Sequence, residues 1–152
     1  MAASVWTYYN KFRKNLGIGN IGLLTPNVRM ALFTSASNVA TATLSTYGSL
    51  TSEVTQANGY TAGGGAKGLL AGRTWTAGAS AGSMRFSYTP AIVWTAGGGP
   101  ISNVKFAVLY LSGASAGLKK LICYSQLSTA QFSVTVGNIL SIGGATGVFS
   151  LT

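Results

Sequence analysis

Val28-Arg29-Met30-Ala31-Leu32-Phe33 sets apolar Val28, Met30 and Leu32 at every second position, with Arg29, Ala31 and Phe33 between them. A period of two puts alternate side chains on opposite faces of a pleated strand. The stretch therefore reads as a strand with one buried face. The pattern returns in Val104 to Leu111, where Val104, Phe106, Val108 and Tyr110 share one face and Lys105, Ala107 and Leu109 the other. Further strand-like runs cover residues 67–75, 83–88, 91–95, 119–125, 131–136, 138–142 and 148–151. Gly63-Gly64-Gly65, Gly97-Gly98-Gly99-Pro100, Ser112-Gly113-Ala114-Ser115 and Gly143-Gly144 read as turns between them. Many short strands separated by turns predict a mainly β fold, an antiparallel β-sandwich of jelly-roll-like kind. Residues 45–56 are less regular and read as one or two helical turns around Glu53. Trp75-Thr76-Ala77-Gly78 recurs as Trp94-Thr95-Ala96-Gly97. The spacing is too uneven for a solenoid, so the echo reflects similar strand-to-turn chemistry.

Ahead of this β region, residues 4–16 carry Val5, Tyr8, Tyr9, Phe12 and Leu16 at spacings of three and four, the apolar stripe of a short helix. Ser4 suits an N-cap and Gly17 a stop. Lys11 and Lys14 fall near the C-terminal end, where positive charge suits the helix dipole. Two domains follow: an arm of helix and glycine-rich linker over 1–22, and a sandwich over 23–152. Gly17-Ile18-Gly19-Asn20-Ile21-Gly22 matches a dinucleotide-binding spacing on paper. That fingerprint needs a strand before it, a helix after it and an acid about 20 residues on. Here a helix precedes it, Thr25-Pro26-Asn27 follows as a turn, and the nearest acid is Glu53.

Glu53 is the only acidic side chain among 152 residues, and histidine is absent. General acid–base, triad and two-carboxylate chemistry all need His, Asp or Glu in combination. Metal sites need the same ligands or several thiols, and Cys123 is the only cysteine. The chain is therefore expected to be no enzyme, with no cofactor, no metal and no catalytic residue. Cys123 lies in the apolar run Leu121-Ile122-Cys123-Tyr124 and reads as a buried core thiol. Glu53 reads as a structural group, in an ion pair with Arg or Lys or in a turn capped by backbone amides. No 18-residue apolar stretch predicts a membrane span, and the segment from Met1 to Asn15 lacks the pattern of a secretory signal.

Charged residues make up 7% of the chain, against roughly 25% in a typical soluble domain. Hydrophobic residues make up 47% and aromatics 11%. A surface so poor in charge suits a subunit of an assembly, whose interface cores shed charge and gather aromatics. The net charge of +9 comes from ten Lys and Arg. It favours an acidic partner, either nucleic acid or an acidic protein surface. Apart from Lys11/Arg13/Lys14 and Lys119/Lys120 the cations are scattered, without the dense, aromatic-interleaved patch of a nucleic-acid module. The acidic protein surface is the favoured reading. Trp6, Lys11, Arg13 and Lys14 are the expected contacts.

Tyr9-Asn10-Lys11-Phe12, Gly19-Asn20-Ile21 and Val28-Arg29-Met30-Ala31-Leu32-Phe33-Thr34-Ser35 come in the same order as motifs in a family of small tailed-bacteriophage virion proteins. Glu53-Val54, Asn58-Gly59-Tyr60-Thr61-Ala62-Gly63-Gly64, Ala107-Val108-Leu109-Tyr110 and Val148-Phe149-Ser150-Leu151 extend the likeness along most of the chain. The chain resembles capsid cement or decoration proteins. The resemblance implies a β-sandwich made in the host cytoplasm that binds the major capsid protein on the virion's capsid surface and associates with itself as a homodimer or homotrimer. Similar proteins are typically acidic, and this chain departs from them in charge. A tail or head-to-tail connector subunit is the alternative. A basic nucleic-acid-binding β-barrel ranks lower, as does a carbohydrate-binding sandwich with Trp75 and Trp94 as platform.

Overall fold

The computed structural model describes residues 4–19, 21–24, 27–113 and 119–151. Among these the chain forms strands β1 (Thr7–Tyr8), β2 (Val28–Phe33), β3 (Thr74–Ala77), β4 (Met84–Thr95), β5 (Ile101–Val104), β6 (Phe106–Leu111), β7 (Leu121–Gln126), β8 (Phe132–Val134) and β9 (Ile139–Leu151), with helix α1 (Asn10–Gly17) after β1. They assemble into sheets ordered β1-β7-β6-β2, β3-β4-β9 and β5-β8, with every pairing antiparallel. The fold is mainly β, as the alternation predicts, and its sheets pack face to face as a sandwich.

The main core lies between the four-stranded and three-stranded sheets. Val28, Met30, Leu32, Ala107 and Leu109 meet Phe86, Ile92, Trp94 and Phe149 in one buried cluster. Here the structure departs from a strand with one buried face, because β2 is buried on both. Ala31 and Phe33 join Val108, Tyr110 and Leu121 in a second cluster beneath Val39, with Leu44, Tyr47 and Leu50 packed against it. The residues between Phe33 and Val54 form this lid over the outer face. They are tied down by Thr34 N–H donating to Ser52 C=O (3.0 Å), Val54 N–H to Leu32 C=O (3.0 Å) and Tyr47 N–H to Lys119 C=O (2.7 Å).

Several segments differ from their sequence reading, each for a local reason. The run through Val104 and Tyr110 breaks at Lys105, where the chain changes partners: β5 pairs with β8, and β6 with β2 and β7. The change shifts the alternation by one residue. Val104 thus faces the main core with Ala107 and Leu109, while Phe106, Val108 and Tyr110 face the second cluster. The 83–88 run, from Met84 on, and residues 91–95 belong to one strand, β4, whose register shifts on either side of Tyr88. The second shift spans Pro90, which has no N–H for a ladder. Gly143-Gly144 is no turn but lies inside β9. Gly144 stands opposite Tyr88. A Cβ there would fall 2.0 Å from the Tyr88 ring, so the pair fits only with glycine. In the 67–75 run only Thr74 and Trp75 are in a strand, β3. Leu69 makes an isolated bridge with Arg29 at the edge of β2. The helical turn expected around Glu53 is a short 3-10 turn at Tyr47–Ser49, and Glu53 itself is extended, bridging Phe33. Gly97-Gly98-Gly99-Pro100 connects β4 to β5 as expected. Ala114 and Ser115 of the Ser112–Ser115 turn lie outside the described residues, as do Asn20 of the glycine-rich segment and Thr25 and Pro26.

The N-terminal helix is shorter than the apolar stripe suggests. Residues 4–9 are extended, not helical, and α1 starts at Asn10 with no side-chain cap. Ser4, expected as the N-cap, instead extends the sheet. Its N–H donates to Gln126 C=O (2.8 Å), and its hydroxyl accepts from Gln126 N–H (2.9 Å). Val5 is 85% exposed, so the stripe loses its first member. Tyr9 and Phe12 are fully buried, and Phe12 belongs to the main core. Residues 4–17 therefore share the core of the region assigned to 23–152.

Candidate partner interface

The four residues expected at a partner surface surround β1 and α1. This segment is fastened at several points. β1 pairs with β7 through Thr7 opposite Tyr124 and Tyr8 opposite Cys123. The Tyr8 hydroxyl donates to Ser150 C=O on β9. The Tyr9 hydroxyl donates to Val39 C=O (2.9 Å), and Asn10 N–H donates to Ala42 C=O (2.9 Å). Tyr8 and Phe12 stack with centroids 5.7 Å apart, and each meets the Phe149 ring edge-on. Burial pushes the Tyr8 and Tyr9 phenols up from their ordinary value, chiefly by disfavouring the phenolate.

With Phe12 pinned inward, α1 turns Lys11, Arg13 and Lys14 to solvent. Lys14 sits in the last turn, at the negative end of the helix dipole. The Arg13 guanidinium lies over the Tyr8 ring, 5.2 Å from its centroid. Trp6 is half-buried. It shares with Arg13 a shallow depression of about 590 Å³, bounded also by Thr7, Tyr8, Tyr9 and Asn10. The structure thus brings Trp6 and Arg13 together, with Lys11 and Lys14 on the same helix. Because the segment is tied to β7 and β9, the backbone that carries the three cations is set before any partner arrives, which lowers the ordering cost of binding.

Glu53 lies elsewhere, where the sequence leads one to expect either an Arg or Lys or the backbone amides of a turn on its oxygens. The partners that close on it are hydroxyls and an amide. Tyr47 O–H donates to Oε2; Tyr60 O–H (2.6 Å) and Gly63 N–H (2.5 Å) donate to Oε1. The chain of bonds runs on: Leu32 N–H donates to the Tyr60 hydroxyl (2.9 Å), and Tyr110 O–H to Gly63 C=O (2.9 Å). Tyr47 stacks on Tyr110 at 4.3 Å. Gly63 and Gly64 both have positive φ. A Cβ on Gly64 would fall 1.8 Å from Met30 C=O, so glycine lets this turn press against β2 and aim the Gly63 amide at the carboxylate. Burial, then the neighbouring carboxylate, raises the Tyr60 phenol; burial, then the hydrogen bond to Glu53, raises that of Tyr47. Tyr110 is pushed up to about 12, mainly by burial, against a lowering by Arg29. This cage was missed in the sequence. Its one signal is two tyrosines, Tyr47 and Tyr60, on either side of the lone acid and just ahead of a glycine run.

The remaining candidates are core residues. Trp94 is fully buried and Trp75 half-buried against Phe86 and Phe149, so they form no open stacking platform. Cys123 is fully buried, and burial raises its thiol well above the ordinary value, which removes the reactive thiolate. Among the described residues no group of three or more His, Cys, Asp or Glu could hold a metal, and no helix is long and apolar enough to cross a membrane. What the arrangement can do is present fixed positive charge beside aromatic surface. No protein-family model, curated protein or solved structure matches the chain.

Proposed function

We propose that this is a non-enzymatic structural protein of a bacteriophage virion, a cement or decoration protein that binds the major capsid protein and stabilises the shell. One observation carries the reading: the only carboxylate is engaged inside the fold by Tyr47, Tyr60 and Gly63, while Lys11, Arg13 and Lys14 stand exposed on a helix fastened to the sheet. Side-chain charge turned outward is thus positive, and it suits an acidic shell. The motif resemblance supplies the class of assembly. A protein that binds the assembled shell and not its separated subunits adds its binding free energy to particle stability by mass action. Contacts to more than one capsomer would raise apparent affinity beyond that of any single contact.

The test is co-sedimentation with capsids stripped of the protein, counted as copies per major capsid subunit. Saturable binding at high copy, with greater resistance of the shell to heat, is expected. Binding of only a handful of copies would move the protein to the tail or connector, and no binding would sink the reading. Replacing Lys11, Arg13 and Lys14 together by Ser is expected to weaken attachment by roughly tenfold or more and to flatten its salt dependence, since complementary charge drives the docking. Undiminished attachment would remove these residues from the interface.

A further inference from the structure

We propose that a second copy of this chain docks on the uncharged face built around β8 and β9. Four residues, 135–138, join these strands in a turn closed by Asn138 N–H donating to Thr135 C=O (3.0 Å). Strands joined by so short a loop ordinarily pair as a hairpin. Here they splay: β8 pairs with β5 and β9 with β4. Between them opens a groove of about 650 Å³, with half-buried Trp6, Phe132 and Leu140 in its lining. Exposed Val93, Val136 and Ile139 lie close by, Val93 paired with Ser141 of β9, and Val136 and Ile139 are each 60% exposed. β9 is the last strand of its sheet. An uncharged, proline-free edge strand is a template for another strand, and the lysines that usually blunt such edges are missing here.

Charge identifies the occupant. No Lys, Arg, Asp or Glu follows Lys120 in the sequence, and none lines the groove. Two copies of a +9 protein repel wherever their cations meet, and least across this face. An acidic partner would be drawn to the cations instead. An antiparallel edge is also self-complementary about a two-fold axis, the commonest symmetry of homo-oligomers. The capsid reading includes self-association; this gives it a face. Measured on the free protein, it stands or falls apart from that reading.

Sedimentation velocity of the purified chain over a range of concentrations, at low and high salt, tests the proposal. A concentration-dependent oligomer is expected, unchanged or strengthened by salt, because screening removes repulsion and leaves apolar contact. Ile139→Lys and Val136→Lys place charge at exposed positions, so each should melt as the parent monomer does. Each should also weaken association by about tenfold or more. A chain that stays monomeric throughout, or an oligomer indifferent to both substitutions, overturns the proposal. So does a monomer whose capsid binding is lost with Ile139→Lys, which would give the face to the shell.

Discussion

At the scale of single residues, Glu53→Gln keeps the shape of the side chain and removes the charge on which Tyr47, Tyr60 and Gly63 converge. The new amide also turns N–H donors toward groups that are themselves donors. Thermal melting should show a loss of about 1–3 kcal/mol, the cost of leaving such groups without an acceptor. An unchanged melt would mean the cage adds nothing. The sequence shows that Glu53 is singular, and its isolation from His and Asp makes a structural group the expected reading. It does not show what holds it. Tyr47 reaches the carboxylate from a 3-10 turn, Tyr60 from the turn closed on Ala57, and Gly63 from a glycine turn pressed on β2, and no period records that geometry. The same holds for Gly144, whose missing side chain makes room for Tyr88 from another strand.

Among the elements, strands were legible where alternation or apolar runs mark them, and their ends were not. β2 was readable in full, yet its second buried face comes from a lid folded over it from residues between Phe33 and Val54. Lys105 is a polar residue in an apolar run, but only the change of partners from β8 to β2 and β7 makes it a break. The N-terminal stripe fitted a helix because Tyr8, Tyr9 and Phe12 are consistent with either a helix or a strand leading into one. The ladder to β7 decides for the strand as far as Tyr8. Phe12 is the bolt of this element, touching Tyr8 and Phe149. Phe12→Ala should cost about 3–5 kcal/mol, the range for emptying a buried aromatic site. Urea unfolding would measure it. A loss under about 1 kcal/mol, the size of a surface change, would mean that α1 is not part of the cooperative unit.

For the whole molecule, the fold class was legible from composition and alternation, whereas the arrangement of three sheets was not, since long-range pairing leaves little trace in local sequence. A test at this scale uses the buried phenols. Tyr8, Tyr9, Tyr47, Tyr60, Tyr88 and Tyr110 are all raised, burial being the first cause in each. In the unfolded chain they lose protons near pH 10, as free tyrosine does. The fold holds those protons longer, so above about pH 10 the unfolded state binds fewer of them and stability falls as pH rises. The stabilisation is complete below pH 10 and is lost on the way up through the folded values. Melting temperature should drop steeply there, with tyrosinate absorbance appearing together with unfolding. Smooth titration of these six in a folded protein would contradict the packing. At lower pH the composition has another consequence. Histidine is the side chain whose ordinary pKa puts its charge change between about pH 5 and 8, and this chain has none. The surface therefore carries no imidazole switch, and nothing it grips in neutral medium is released on mild acidification by the charging of a histidine of its own.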